Sequence, residues 1–161
     1  VVLSRFSQDL SLEFLKSGFR EAGMRIKEEE LEDAVNTFDG VVGWLTLYGY
    51  LRVARGLDHG KALEEVFREA KAIVESELSR LFSYSPRYKV MLKAIALGYS
   101  RWRDVRDYIT LKLGYINDSN FSKLLENLVK SGYVEKKGCR YYIFDPVIER
   151  IFRGGVACSS R

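Results

Sequence analysis

The stretch YINDSNFSKLLENLVKSGYVEKKGCRYYIF, residues 115–144, changes its hydrophobic period part-way along, and few small folds accommodate that change. Phe121, Leu124, Leu125, Leu128 and Val129 recur at helical spacing behind three candidate caps, Asn117, Asp118 and Ser119. Gly132 closes that pattern, since glycine enters the left-handed conformation that ends a helix without a Cβ penalty. From Tyr133 the period becomes two: a strand over 133–136, a turn at Lys137-Gly138 and a strand over 140–144 predict a β-hairpin. A lone hairpin is marginal in water, so the helix and hairpin need further helices to close a core.

Those helices lie just upstream. Ser85 and Pro86 open a helix over 86–97 that Gly98 stops, and Ser100 is placed to cap another over 101–112 that Gly114 ends. Three short helices followed by a hairpin is the winged-helix order. In it the second and third helices form a helix-turn-helix, and the third enters the major groove when the module binds DNA. Asp145-Pro146 repeats the cap-then-proline pattern and predicts a short helix to Phe152, ended by Gly154-Gly155, with 156–161 as a frayed tail.

The preceding half reads as helices joined by short connections. Ser7 caps the first, which carries Leu10, Phe14, Leu15 and Phe19 on one face up to Gly23. A second covers 27–38, with Leu31, Ala34, Val35 and Phe38 inward and Glu28, Glu29, Glu30, Glu32 and Asp33 as a solvated acidic face near its positive end. A third covers 44–55, and a fourth starts at Asp58 and runs to about Phe82 with Leu63, Val66, Phe67, Ala70, Ile73, Val74, Leu78 and Leu81 inward. The expected fold is therefore mainly α: a helical bundle over 1–84, then a winged-helix domain, helix-turn-helix plus β-hairpin, over 85–161.

Charge separates along the same line. Residues 1–85 hold 11 basic and 15 acidic side chains, a net −4, whereas 86–161 hold 15 and 7, a net +8. A basic half favours a polyanion partner without specifying a sequence. Double-stranded DNA is the expected partner. The positions suited to it are Asn117, Ser119, Asn120, Ser122, Lys123, Asn127 and Lys130 on the third helix, Lys136, Lys137 and Arg140 on the wing, and Arg101, Arg103 and Arg106 on the second helix. A solvated basic face, or a protein-docking use of the winged helix, would show the same residues.

Other chemistries find little support. With one histidine, His59, expected exposed in the first turn of the fourth helix, and two cysteines, Cys139 and Cys158, the chain has neither a metal-ligand spacing nor a disulfide framework. No nucleophile–base spacing is recognisable, so no catalytic residue is assigned and this chain alone is not expected to be an enzyme. No apolar run approaches the ~18–20 residues of a membrane span, which leads to the expectation of a cytoplasmic protein without a membrane partner.

Two regions resemble a known family. Asp39-Gly40-Val41-Val42-Gly43-Trp44-Leu45-Thr46-Leu47-Tyr48-Gly49 resembles the Asp-Gly-x-Pro-Gly-Trp-Leu-x-x-Tyr-Gly signature of the archaeal ATPase family, P-loop proteins of the AAA+/STAND type. Within 88–146, the stretches KAIALGY, YINDSN and LLENLV resemble that family's C-terminal module. The resemblance implies a helical lid and winged helix of such an ATPase, with ATP and Mg²⁺ as cofactors of the parent and a P-loop core as partner. It also implies that Gly40, Val41, Val42 and Gly43 approach the nucleotide from the lid side, although Val42 stands where the family has proline. Arg52 and Arg55 are then conceivable phosphate sensors, and Trp44 is expected in the core. No G-x-x-x-x-G-K-[ST] phosphate loop occurs in the chain, so no cofactor is assigned to it alone. An alternative role is an intramolecular or protein-interaction module that docks on the ATPase core.

Overall fold

The computed structural model describes residues 5–154. In chain order the elements are α1 (Gln8–Glu21), α2 (Glu28–Phe38), α3 (Val42–Val53), α4 (His59–Tyr84), α5 (Arg87–Ala96), α6 (Trp102–Leu113), α7 (Asp118–Lys130), β1 (Val134–Lys137), β2 (Arg140–Ile143) and α8 (Pro146–Arg153). The architecture is mainly α with one antiparallel hairpin, the class the sequence patterns imply. Two compact units result: residues 5–72 together with Asp145–Val147, and Ile73–Phe144 together with 148–154. The expected tail over 156–161, with Cys158, lies outside the described residues.

In the helical unit α1, α2 and α3 pack pairwise. Ser7 caps α1 by accepting the Leu10 N–H at 3.3 Å, and Leu15 and Phe19 are buried. Leu10 and Phe14, expected on the same buried face, remain exposed at 46% and 37%, because the stripe that α2 and α3 cover is narrower than the apolar stripe of the sequence. Leu31, Ala34, Val35 and Phe38 of α2 are all buried, as their spacing requires. Asp58 caps α4 by accepting the Lys61 backbone N–H at 2.9 Å, and that bond holds its carboxyl below the usual aspartate range. Along α4 the buried positions advance in steps of four, Ala62, Val66, Ala70, Val74 and Leu78, while Ile73 is left outside at 44% exposure.

The winged-helix unit has its core under α5, α6 and α7, centred on Met91, Leu92, Val105, Ile109, Phe121 and Leu128. Phe121 is fully buried and meets the Trp102 ring edge-on, with centroids 5.0 Å apart and planes at 84°. The hairpin pairs Val134 with Ile143, Glu135 with Tyr142, Lys136 with Tyr141 and Lys137 with Arg140. The turn is therefore Gly138-Cys139, one residue later than Lys137-Gly138. Gly138 supplies the positive φ, +60°, that a two-residue hairpin loop demands.

Ser100 corrects a second expectation. The N-cap of α6 is Arg101, without a side-chain cap, and Ser100 is buried with its Oγ accepting from Arg140 Nη1 at 2.8 Å and its carbonyl accepting from Tyr141 N at 2.8 Å. The segment before α6 thereby runs alongside β2, with Arg101 bridged antiparallel to Arg140. No helix among the described residues is long and apolar enough to cross a membrane.

Candidate nucleic-acid interface

Asn117 is the cap that α7 uses: its Oδ1 accepts the Asn120 N–H at 2.8 Å, which fixes the first turn and presents Ser119 and Asn120 to solvent. Phe121, Leu125 and Leu128 bury the opposite face, so helical geometry turns Ser119, Lys123, Glu126 and Lys130 outward as one strip. Lys123, Glu126 and Lys130 make no ion pair or hydrogen bond among the described residues, which leaves their charges available to a ligand. Glu126 is the one anion in the strip, and the expectation from basic residues alone overlooked it.

The wing and α6 divide the remaining candidates. Arg101 and Arg140 sit side by side where the pre-α6 segment meets β2, and Arg103 is exposed on α6. Lys137, next to the turn, pairs with Glu135 at 3.3 Å, and Lys136 lies 5.6 Å from the Tyr141 ring centroid. Two residues are occupied elsewhere. Arg106 is held by Asp118 at 2.9 Å and by the Trp102 face at 5.7 Å, and Asn127 donates its amide to the Tyr88 hydroxyl at 3.0 Å, toward α5. Ser122 accepts the Trp102 indole N–H at 3.2 Å and lies at the edge of the strip.

The Gly40–Gly43 loop packs on the segment before α1. Gly40 has φ +74° and is covered: its carbonyl accepts the Phe6 N–H at 2.8 Å, and a Cβ there would come 2.1 Å from the Phe6 carbonyl oxygen. The close backbone approach that this glycine permits is thus to the chain's own segment before α1. Val41 is buried, bridged to Arg5, while Val42 is half-buried and Gly43 exposed in the first turn of α3. Trp44 is half-buried and donates its indole N–H to Asp145 at 2.7 Å, so it is bonded as well as packed.

Arg52, the conceivable phosphate sensor, is engaged within the helical unit. Arg52 is buried, with both terminal nitrogens 2.9 Å from Glu30 Oε2 and Nη1 also 2.9 Å from the Tyr48 hydroxyl. Glu30 is accordingly partly withdrawn from the solvated acidic face. Arg55, half-exposed, turns toward Glu65 and Glu69. His59, expected exposed, keeps only 19% of its side chain accessible, because Nδ1 meets the Tyr48 hydroxyl at 2.8 Å and Nε2 meets Asp33 at 2.7 Å. Burial pushes the Tyr48 phenol above its ordinary pKa, although the Arg52 charge pulls against that shift.

Comparison with known proteins agrees with this geometry. Residues 83–144 match the MCM protein C-terminal winged helix-turn-helix domain. A comparison with curated protein sequences gave no match. The fold is similar to that of a Walker-type ATPase of Pyrococcus abyssi, with a TM-score of 0.87 and 41% identity over 92% of this chain. These likenesses support a C-terminal winged-helix region of the archaeal ATPase type. The chain spans 42% of the length of the Pyrococcus protein it matches. The sequence signal that carried the family, the Asp39–Gly49 stretch, maps onto the α2–α3 connection and the first two turns of α3.

Proposed function

We propose that this region is the lid and DNA-binding end of an ATPase, and that its winged-helix unit holds duplex DNA through α7 and the wing. The outward strip Ser119, Lys123 and Lys130, flanked by Lys137 and Arg103, is the observation that carries the reading. In this reading α7 lies in the major groove, Ser119 and Asn120 meet base edges, Lys123, Lys130, Lys136, Lys137, Arg101, Arg103 and Arg140 meet phosphates, and Asn117 and Asn127 fix the helix from behind. ATP and Mg²⁺ belong to a P-loop core, because the chain has no phosphate loop and its Gly40 backbone is already covered by Phe6.

The test is a titration with duplex DNA at two salt concentrations. About seven phosphate contacts give a slope of roughly −6 in log–log form, so affinity falls on the order of several thousandfold between about 50 and 200 mM salt. Changing Lys123 and Lys130 to Glu abolishes binding. Binding that ignores salt, or that survives those changes, defeats the proposal.

A second reading rests on a different place. Between α1 and α3 the helical unit has an open apolar groove of about 460 Å³, bordered by Phe14, Gly18, Thr46, Gly49, Tyr50 and Val53, with Tyr50 55% exposed. Exposed apolar area of this kind suits a docked protein surface, here the P-loop core, with the winged helix as a regulatory arm. Calorimetry with the core supplied in trans detects that association, and its absence removes this reading.

A further inference from the structure

Beside the outward strip of α7 the winged-helix unit has a half-open groove of about 240 Å³, bordered by α6, α7 and the hairpin. Its walls are apolar: Trp102, Leu125, Val129 and the ring of Tyr141. Its polar groups are few and placed at the margin. Glu126 supplies a carboxylate with no partner among the described residues, and Lys130 and Lys136 supply cations on either side. Ser122 accepts the Trp102 N–H, which holds the indole at the groove wall and leaves the serine's own O–H to donate.

That combination discriminates among ligands. The volume is below the ~300 Å³ at which drug-sized pockets begin, which suits one flat ring system. Aromatic walls accept the π-face of any base, and lysines beside them accept the phosphates on either side of it. Duplex DNA cannot use such a groove, because its bases are stacked and only their edges are offered. The single carboxylate then selects among unpaired bases: it accepts a hydrogen bond from an exocyclic amine and repels a carbonyl. Cytosine presents its amine where thymine presents an oxygen.

We infer that this groove binds one unpaired, amine-bearing nucleobase, so that the winged helix engages single-stranded or opened DNA in addition to duplex. The inference rests on the DNA-binding reading, and it adds a ligand class and a specificity determinant, Glu126, to it. Lys136, which covers the Tyr141 ring in the free protein, turns from the ring to a phosphate when the base enters.

The experiment uses the full chain with Trp44→Phe, so that Trp102 is the only indole, and titrates it with short oligodeoxycytidine, short oligothymidine and a fully paired duplex. Oligodeoxycytidine quenches Trp102 and binds about tenfold more tightly than oligothymidine, while the duplex binds without quenching. In Glu126→Ala affinity for all three rises with the loss of negative charge, but the cytosine preference disappears. Equal affinity and quenching by the two oligonucleotides, or a preference that persists in Glu126→Ala, overturns the inference and leaves duplex binding standing. Failure to bind any of the three overturns both. Circular dichroism of each variant establishes that it is folded before it is titrated.

Discussion

Gly40 and Gly43 stand three residues apart in one family signature, yet the structure gives substitutions there opposite signs. Alanine at 40 must hold φ near +74°, which costs an L-residue about 1–2 kcal/mol. Its Cβ would also fall 2.1 Å from the Phe6 carbonyl oxygen, so the backbone there has to move and the Phe6 N–H to Gly40 carbonyl bond is lost. A hydrogen bond contributes about 1 kcal/mol, bringing Gly40→Ala to about 2–3 kcal/mol of destabilisation. Alanine at 43 meets nothing within 4 Å and needs no positive φ. It lies in the first turn of α3, where better helix propensity stabilises by about 0.5 kcal/mol. Urea denaturation followed by Trp44 emission in a Trp102→Phe background reads the helical unit alone. If Gly40→Ala unfolds within about 0.5 kcal/mol of the parent, by the usual spread for neutral surface changes, the covering contact with Phe6 is refuted.

Removing the Tyr48 hydroxyl, which serves both Arg52 and His59, costs about 2 kcal/mol in Tyr48→Phe, again by urea denaturation. Because the folded-state pKa of Tyr48 is raised, its contribution is fully present below about pH 10 and is lost as pH rises through the higher folded value; Tyr48→Phe flattens that alkaline decline in the Trp44 signal. Asn127→Ala loses its bond to Tyr88 and lowers stability by about 1 kcal/mol with little change in duplex affinity, whereas Lys123→Ala does the reverse; thermal melts and anisotropy titrations separate the two. Phe121→Ala empties a fully buried site against Trp102 and costs about 3–5 kcal/mol, measured by the chemical denaturation of the winged-helix unit.

Local signals made much of this architecture legible. Ser7, Asp58 and Asn117 announce three helices because a cap acts within three residues of itself, and Gly98, Gly114 and Gly132 stop helices for an equally local reason. What the sequence concealed depends on partners far along the chain. Ser100 looked like a cap, but Arg140, 40 residues on, takes its hydroxyl. Arg52 looked free for phosphate until Glu30, 22 residues earlier, came within reach, and Asn127 looked like a base reader until Tyr88 claimed its amide. Periodicity shows which face of a helix is apolar. How much of that face a neighbour covers, as at Leu10, Phe14 and Ile73, is settled only by packing. The groove beside α7 was hidden for the same reason: Trp102, Glu126 and Tyr141 come from three separate elements.

The side chains Glu30, Arg52, Tyr48, His59 and Asp33 form a file of hydrogen bonds through the helical unit, and the file has a direction. An arginine can only donate, so the Tyr48 oxygen receives from Arg52, and with the Tyr48 hydrogen turned to His59 Nδ1 the neutral imidazole is the acceptor. That tautomer places the ring N–H on Nε2, which meets Asp33. Arg52 thus favours one tautomer of an imidazole it does not touch, and replacing it with methionine would free the Tyr48 hydroxyl to rotate and remove that preference.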